Sequence, residues 1–222
     1  MGVPLPDSPH ACMVSLPTWE AVIGYEESDP AVVGKMRSGY PRFFLHPITA
    51  SYLGGLEGEY AGEGERLMAY SSSAAAQRAA RFVQQRTGLS GRVIESEVPL
   101  LAVPEEGYQA ARDYWRHTGE LISSRQAEDL QRGVTADSSQ VAEFRRSLAR
   151  VMEVREQDAF FFESGMASIF ALYRAVTARR PGLKTLQLCF PYVDALKVQE
   201  HFGAGVDFVN SPRGDALDQS LA

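Results

Sequence analysis

Residues 160–170 read FFFESGMASIF: three phenylalanines, a turn of small residues and then a renewed apolar run. The apolar run at 158–162 predicts a short buried strand. Ser164 is a candidate N-cap, and apolar residues spaced three and four apart predict a helix that Pro181 and Gly182 end. The apolar stripe of that helix consists of Met166, Ile169, Phe170, Tyr173 and Val176. The stretch therefore predicts a strand that turns sharply into a helix.

The turn between them has the features of an anion site. The N–H groups of Gly165, Met166 and Ala167 have no partner inside the helix, and the helix dipole adds about half a positive charge at this end. Gly165 has no side chain to keep a ligand away, so a phosphate could bind here. The alternative is that Ser and Gly only start the helix, as they do at many such turns. The residues of the turn alone leave both interpretations open.

Strands and helices alternate after the turn. KTLQLCF (184–190) predicts a second strand, YVDALKVQEHFGAG (192–205) a helix, and VDFVN (206–210) a third strand. Such alternation implies a parallel sheet with helical crossovers. Three strands are few for this architecture, and GDALDQSLA (214–222) looks like the start of another helix. We therefore expect the sheet to be cut short in this chain.

The residues before the turn follow a different pattern. Residues 1–60 are rich in proline and glycine, which predicts an extended arm with short elements. The elements predicted beyond the arm are a helix at 65–88, a strand at 92–104, and helices at 105–122 and 138–154. The last helix has an apolar face formed by Val141, Phe144, Leu148 and Val151. We therefore predict an N-terminal arm and helical region at 1–137, followed by an α/β domain at 138–222.

Composition narrows the classes of function. The chain of 222 residues is 45% hydrophobic and 23% charged, as in ordinary soluble globular proteins. A formal net charge of −6 gives no reason to expect nucleic acid as a partner. No apolar run is long enough to span a bilayer, so we do not expect a membrane protein. Cys12 and Cys189 have neither metal nor redox spacing, so we expect a reducing, cytoplasmic setting.

Three side chains outside the turn are candidates for the same ligand. Tyr192 follows the second predicted strand and could stack on a flat ring, or it could simply lie on the surface. Arg125, in a predicted polar turn, and Arg42, between a proline and two aromatics, could each contact a phosphate in bidentate geometry. Most arginines are only solvated, so both alternatives stay open for each of them.

Several stretches together resemble one enzyme family. SGMASIFALYRAV (164–176) and LQLCFPYVDALKVQEHFGAGVDFV (186–209) resemble the pyridoxal-phosphate enzymes of cysteine and methionine metabolism, which carry a Ser-Gly-Met-Ala-x-Ile phosphate turn. VSLPTWEAVIGYEESDPAVVGKMRSGYPRFFLHP (14–47) and YWRHTGELISSRQAE (114–128) look like the long-form cystathionine γ-synthases best known from fungi. The resemblance covers nearly the whole chain, and the stretches in this order are more specific than the turn alone.

The resemblance implies a fold, a cofactor and a site. The fold would be the amino-terminal part of an aspartate-aminotransferase-like (fold type I) α/β domain, with a mostly parallel sheet, after a mainly helical N-terminal region. Pyridoxal 5'-phosphate would bind with its phosphate at Ser164, Gly165 and Met166 and with its ring stacked on Tyr192. Arg125 matches the arginine of the family's Tyr-Ser-Arg motif, which reaches the phosphate in a neighbouring subunit. Ser123 stands where tyrosine is usual, which puts the tyrosine's roles in doubt.

The resemblance also implies what this chain lacks. The family's Schiff-base lysine and the aspartate that pairs with the pyridine nitrogen come further along than this chain extends. Its lysines are Lys35, Lys184 and Lys197, and we expect the last two to be solvated. We therefore expect no catalytic residue here and no γ-replacement on an O-acyl-homoserine by cysteine without further polypeptide.

The expected partners are those amino-acid substrates and either a second copy of the chain or a complementing C-terminal half. Two alternatives remain. One is a non-catalytic subunit that binds the same cofactor, and the other is an unrelated α/β module that binds a nucleotide or a phosphosugar.

Overall fold

The computed structural model describes residues 7–11, 16–35, 44–135, 137, 139–189, 192–210 and 213–221. The chain forms two compact units. The first unit contains residues 1–112 and 121–159, and the second contains residues 113–120 and 160–222. These units are groupings by contact, and the domain boundary expected after residue 137 stays a prediction.

The first unit begins with three helices, α1 (Trp19–Glu26), α2 (Pro30–Val33) and α3 (Pro47–Tyr60). The prediction of an extended arm with short elements over residues 1–60 is therefore wrong at 47–60, where α3 is a helix of 14 residues. Pro47 occupies the first helical position, where its missing N–H is not needed, and the His46 ring caps the helix by accepting from the N–H of Ile48. Packing of the Tyr52 and Leu53 side chains into the core outweighs the low helix propensity of the glycines.

A three-stranded antiparallel sheet forms the centre of this unit, in the order β1-β3-β2. The strands are β1 (Glu65–Ala69), β2 (Arg92–Ile94) and β3 (Leu100–Pro104). The helix predicted to start at 65 is wrong there, because Glu65–Ala69 is a strand and Ser72 caps a helix that begins only at Ser73. The single strand predicted at 92–104 is two strands that both pair with neighbours, β2 with β3 and β3 with β1. The apolar run of β3 is buried, with Leu100 to Val103 all inaccessible to solvent.

Helices surround this sheet. The remaining helices of the unit are α4 (Ser73–Thr87), the first part of α5 (Glu105–Thr118), α6 (Ser124–Gln131) and α7 (Ser139–Val151). Helix α4 packs on β2 and β3, and α3 packs on β1 and α6. Helix α6 was not predicted. Helix α7 was predicted within a residue of its start, but its apolar face is exposed, with Phe144 at 60% and Val151 at 77%.

The second unit combines the end of α5 with the elements that follow the phosphate turn. These are α8 (Gly165–Arg179), β4 (Thr185–Leu188), α9 (Val193–Phe202), β5 (Val206–Val209) and α10 (Asp215–Leu221). Strands β4 and β5 pair in parallel, with Thr185 opposite Val206. Of the alternation of strands and helices predicted from residue 158 onward, the two helices and the strands β4 and β5 are confirmed.

The strand predicted at 158–162 is wrong. These residues form no ladder within the described part of the chain, and Phe160 and Phe162 are 74% and 44% exposed. An apolar run becomes a strand only where another strand offers its N–H and C=O groups. The part of the chain that the structure describes is therefore a mixed α/β structure with one small antiparallel and one small parallel sheet. A mostly parallel sheet of fold type I stays a prediction.

Candidate functional site

The turn at the start of helix α8 has two unused backbone donors. Ser164 is extended, with φ −153° and ψ 163°, and its Oγ accepts from the N–H of Ala167 at 3.0 Å. The N–H of Ser168 donates to the carbonyl oxygen of Ser164, as the first bond of the helix. Within the described part of the chain, the N–H groups of Gly165 and Met166 donate to no acceptor. Both groups belong to the first turn of α8, where an anion is stabilised by the helix dipole.

The space around this turn can accept a ligand. Gly165 is exposed, and a Cβ built on it would meet nothing within 4 Å. The Met166 and Ala167 side chains are buried, at 4% and 1%, so they anchor the turn from inside. Glu163 places an exposed carboxylate beside the turn, which opposes anion binding but is screened by solvent. The residues present therefore fit a phosphate group bound through the main chain.

The end of helix α5 supports the turn from within the second unit. The Ser164 hydroxyl donates to the carbonyl oxygen of Gly119 at 3.2 Å. Gly119 has φ +70° and ends α5 through an N–H bond to the carbonyl oxygen of Trp115. The helix predicted over 105–122 thus ends at Thr118. The glycine after Arg116 and His117 is the usual signal for such an end, and it identifies a supporting residue that we did not predict.

An aromatic cluster holds α5, α8 and α9 together in this unit. The Phe170 and Phe202 ring centroids lie 4.8 Å apart, and Tyr114 packs edge-on against both, at 6.2 and 5.8 Å. The Tyr114 hydroxyl donates to the buried Glu120 carboxylate at 2.5 Å. Edge-on aromatic packing of this kind adds stabilisation beyond burial and fixes the relative orientation of the rings. The α8 turn therefore starts a helix that is anchored one turn further along, at Phe170.

Two histidines meet beside this cluster. The His117 and His201 ring centroids are 4.7 Å apart. The pKa of His117 is lowered from 6.5 to about 4, chiefly because burial disfavours the charged ring and also because His201 lies beside it. Asp113 and Asp194 act in the opposite direction. His117 is therefore a neutral, structural ring at physiological pH.

Tyr192 lies at the start of α9 in the same unit as the turn. It is the N-cap residue, its side chain makes no capping hydrogen bond, and it is 57% exposed. An exposed ring at a helix start is the type of group that stacks on a planar ligand. Its contact with the cofactor ring stays a prediction.

Arg125 lies in the first unit. The expectation that it lies in a polar turn is wrong, because it lies in helix α6. It is an exposed residue in the first turn of α6, which Ser123 caps by accepting from the N–H of Gln126 at 3.1 Å. A serine at position 123 is therefore explained locally, because it starts a helix. The contact of Arg125 with a phosphate stays a prediction, and Arg42 lies outside the described residues.

Lys184 and Lys197 are held in surface ion pairs. The Lys184 Nζ lies 3.1 Å from an Asp207 carboxylate oxygen, and the Lys197 Nζ lies 2.7 Å from that of Glu200. Their side chains are 60% and 42% exposed. The expectation that both are solvated is confirmed. Neither amine is buried in the apolar pocket that a nucleophilic lysine needs.

Comparison with known proteins finds a match to one family model over part of the chain. Residues 55–123 match the model of the fungal trans-sulfuration enzyme N-terminal domain. This range includes β1 to β3, α4 and α5, and it ends at the Ser123 cap. No solved structure matches the chain significantly.

Three curated relatives illustrate the extent of the similarity. The chain is 33% identical over 142 residues to "Cystathionine gamma-synthase" of Saccharomyces cerevisiae and 30% identical over 156 residues to that of Neurospora crassa. These alignments use 55% and 58% of this chain but 22% and 25% of the relatives. It is 32% identical over 230 residues to "L-2-amino-4-chloropent-4-enoate dechlorinase/desaturase" of Streptantibioticus cattleyicolor, covering 94% of this chain and 45% of that protein.

This chain thus spans less than half of the length of these three relatives. No helix in the described part of the chain is long and apolar enough to cross a membrane. Over its N-terminal portion, the chain is similar to the N-terminal domain of the fungal trans-sulfuration enzymes and to the fungal cystathionine gamma-synthases.

Proposed function

We propose that this chain is the cofactor-phosphate-binding part of a cytoplasmic, pyridoxal-phosphate-dependent transsulfuration enzyme. The observation that carries the proposal is the α8 turn, where the N–H groups of Gly165 and Met166 donate to no acceptor among the described residues and the space beside Gly165 is open. The match to the fungal trans-sulfuration enzyme N-terminal domain supports it independently, because residues 55–123 lie upstream of the turn.

The residues have separate roles in this proposal. Gly165 and Met166 donate their N–H groups to phosphate oxygens, and Tyr192 stacks on the pyridine ring. Arg125 adds a cationic contact to the phosphate that a second copy binds. When bound, the cofactor supplies an electron sink for bond changes at the α and γ carbons of an amino acid.

The reaction that we propose is replacement at the γ carbon of an O-acyl-homoserine by the thiol of cysteine. It follows from the names of the yeast and Neurospora relatives. The dechlorinase/desaturase relative favours a second candidate, elimination from a γ-chloro amino acid, because its similarity extends over 94% of this chain and includes the α8 turn region. Both reactions need a γ leaving group and the same cofactor, so the phosphate site serves either.

The binding test uses a proline at the first position of α8. Proline fits the first helical position, and the extended Ser164 before it is compatible with a following proline. Gly165→Pro therefore removes one donor but leaves the helix intact. We expect it to lower the affinity for pyridoxal phosphate roughly tenfold and to leave the affinity for pyridoxal unchanged.

The matched control is Ser73→Pro at the first position of α4, which also follows an extended serine cap. It should change neither affinity in equilibrium dialysis. Equal affinities of the wild type for the phosphorylated and unphosphorylated ligand would contradict the proposed site.

The lysines lead to a second expectation, about turnover. Because Lys184 and Lys197 are ion-paired at the surface, neither is placed to hold the cofactor covalently. We expect the purified 222-residue chain to show no turnover with cysteine, an O-acyl-homoserine and pyridoxal phosphate. We also expect activity to appear when a polypeptide matching the remaining part of the relatives is added. Cystathionine formed by the chain alone, followed by chromatography, would overturn this expectation.

A further inference from the structure

A buried segment at the end of α5 lies directly against the α8 turn. Thr118 is inaccessible to solvent, Gly119 is buried and Glu120 is 7% exposed. All three belong to the second unit, as does the turn. The link between them is the hydrogen bond from the Ser164 hydroxyl to the carbonyl oxygen of Gly119, at 3.2 Å.

This hydrogen bond determines what the Ser164 hydroxyl can do. A hydroxyl has a single proton, and here that proton is donated to Gly119. The same oxygen accepts from the N–H of Ala167 at 3.0 Å. The side chain is thus fixed between the end of one helix and the start of another, and it has no proton left to donate to a phosphate. The donors that remain at the turn are the N–H groups of Gly165 and Met166.

Position 119 accepts only glycine in this arrangement. Its φ of +70° lies in the left-handed region, which a side chain disfavours. A Cβ added there would collide with the Ser164 hydroxyl oxygen. It would also lie 3.0 Å from the Met166 Cβ and 3.1 Å from the Ala167 nitrogen. Any side chain at 119 therefore pushes on the cap and on two of the first three residues of α8.

We propose that Gly119 is a positioning residue for the phosphate site and acts through Ser164. The Gly119 carbonyl sets the rotamer of Ser164, and its missing side chain lets the turn approach closely. Together they determine the directions of the Gly165 and Met166 N–H groups. This inference rests on the proposed function, because it assigns Gly119 a role toward the same phosphate.

The test compares two alanines in left-handed positions of the same unit. Gly119→Ala introduces the collision, whereas Gly182→Ala, at φ +80° just after α8, meets nothing within 4 Å. Both variants carry the strain of the left-handed backbone, so both should lower the thermal midpoint. Only Gly119→Ala should lower the ratio of the affinities for pyridoxal phosphate and pyridoxal, by roughly tenfold or more. An unchanged ratio in folded Gly119→Ala would overturn the positioning role.

Variants of Ser164 provide a test that leaves Gly119 intact. Ser164→Ala removes the hydrogen bond to Gly119, and Ser164→Thr retains a hydroxyl. We expect the alanine to reduce the affinity ratio several-fold and the threonine to restore it. Ser72→Ala removes the equivalent cap from α4, where Ser72 Oγ accepts from the N–H of Ala75, and should leave the ratio unchanged. If Gly119→Ala does not fold, these serine variants still test the positioning role. An affinity ratio in Ser164→Ala equal to that of the wild type would refute the proposal.

The ratio of the wild-type affinities for pyridoxal phosphate and pyridoxal distinguishes failure of the proposed function from failure of the Gly119 role. A wild type that does not prefer the phosphorylated ligand contradicts the proposed function itself. A wild type that prefers it, together with Gly119→Ala and Ser164→Ala variants that keep the preference, contradicts only the role of Gly119.

Discussion

At the scale of single residues, His117 shows how the second unit depends on a neutral side chain. Its pKa lies at about 4, chiefly because of burial, with a contribution from His201 at a ring distance of 4.7 Å. Asp113 and Asp194 oppose this shift, and Arg116 adds to it. Folding therefore favours the uncharged ring, and the contact between α5 and α9 contains a group that resists protonation.

The consequence is a loss of stability in acid. A group whose folded-state pKa is lowered to about 4 from 6.5 contributes fully above pH 6.5, and this contribution is lost as the pH falls from 6.5 toward 4. The loss is below about 3 kcal/mol, since the ring is partly exposed and solvent screens its charge. Urea unfolding at pH 7.5 and 5.0 should show a larger decrease in the wild type than in His117→Gln. Equal decreases in both proteins would contradict this account of His117.

Local sequence signals predicted the candidate turn but not its support. Ser164, Gly165 and Met166 were predicted correctly as cap and first turn, because an N-cap depends on residues within one turn of it. Gly119 was missed because its role comes from a contact across 45 residues. The Ser123 cap of α6 was also missed, although it involves only residues next to it in the sequence and a local signal could have found it.

At the scale of elements, the errors share a physical cause. Glu65–Ala69 was predicted as helix because it precedes an alanine-rich run, but pairing with β3 buries Leu67, Met68 and Ala69. The run at 158–162 was predicted as a strand and forms no ladder among the described residues. In both cases the pairing partner decides the element, and no short window of sequence contains that partner.

The burial of a valine predicts how much stability is lost when it is replaced by alanine. Val103 on β3 is fully buried, whereas Val151 on α7 is 77% exposed despite its place on an apolar face. Val103→Ala should therefore lower the free energy of unfolding by about 2 kcal/mol, from lost burial and the cavity that remains. Val151→Ala should change it by less than about 0.5 kcal/mol. Urea titration of both variants checks this, and a cost for Val151→Ala equal to that of Val103→Ala would show that α7 is covered in solution.

At the scale of the whole molecule, the chain divides its candidate residues between two units. Ser164, Gly165, Met166 and Tyr192 belong to the second unit, while Arg125 belongs to the first. The family match, at 55–123, lies mostly in the first unit. The similarity to the fungal N-terminal domain thus comes mostly from the first unit, whereas the proposed phosphate site lies in the second.

The central claim is that the α8 turn binds the phosphate of the cofactor through its main chain. The most direct test is a titration of the ¹⁵N-labelled chain, followed through the amide resonances of Gly165 and Met166. We predict that pyridoxal phosphate shifts these two resonances more than those at the starts of α4 and α6, and that pyridoxal does not. Shifts that are absent from Gly165 and Met166, or equal with both ligands, would contradict the account.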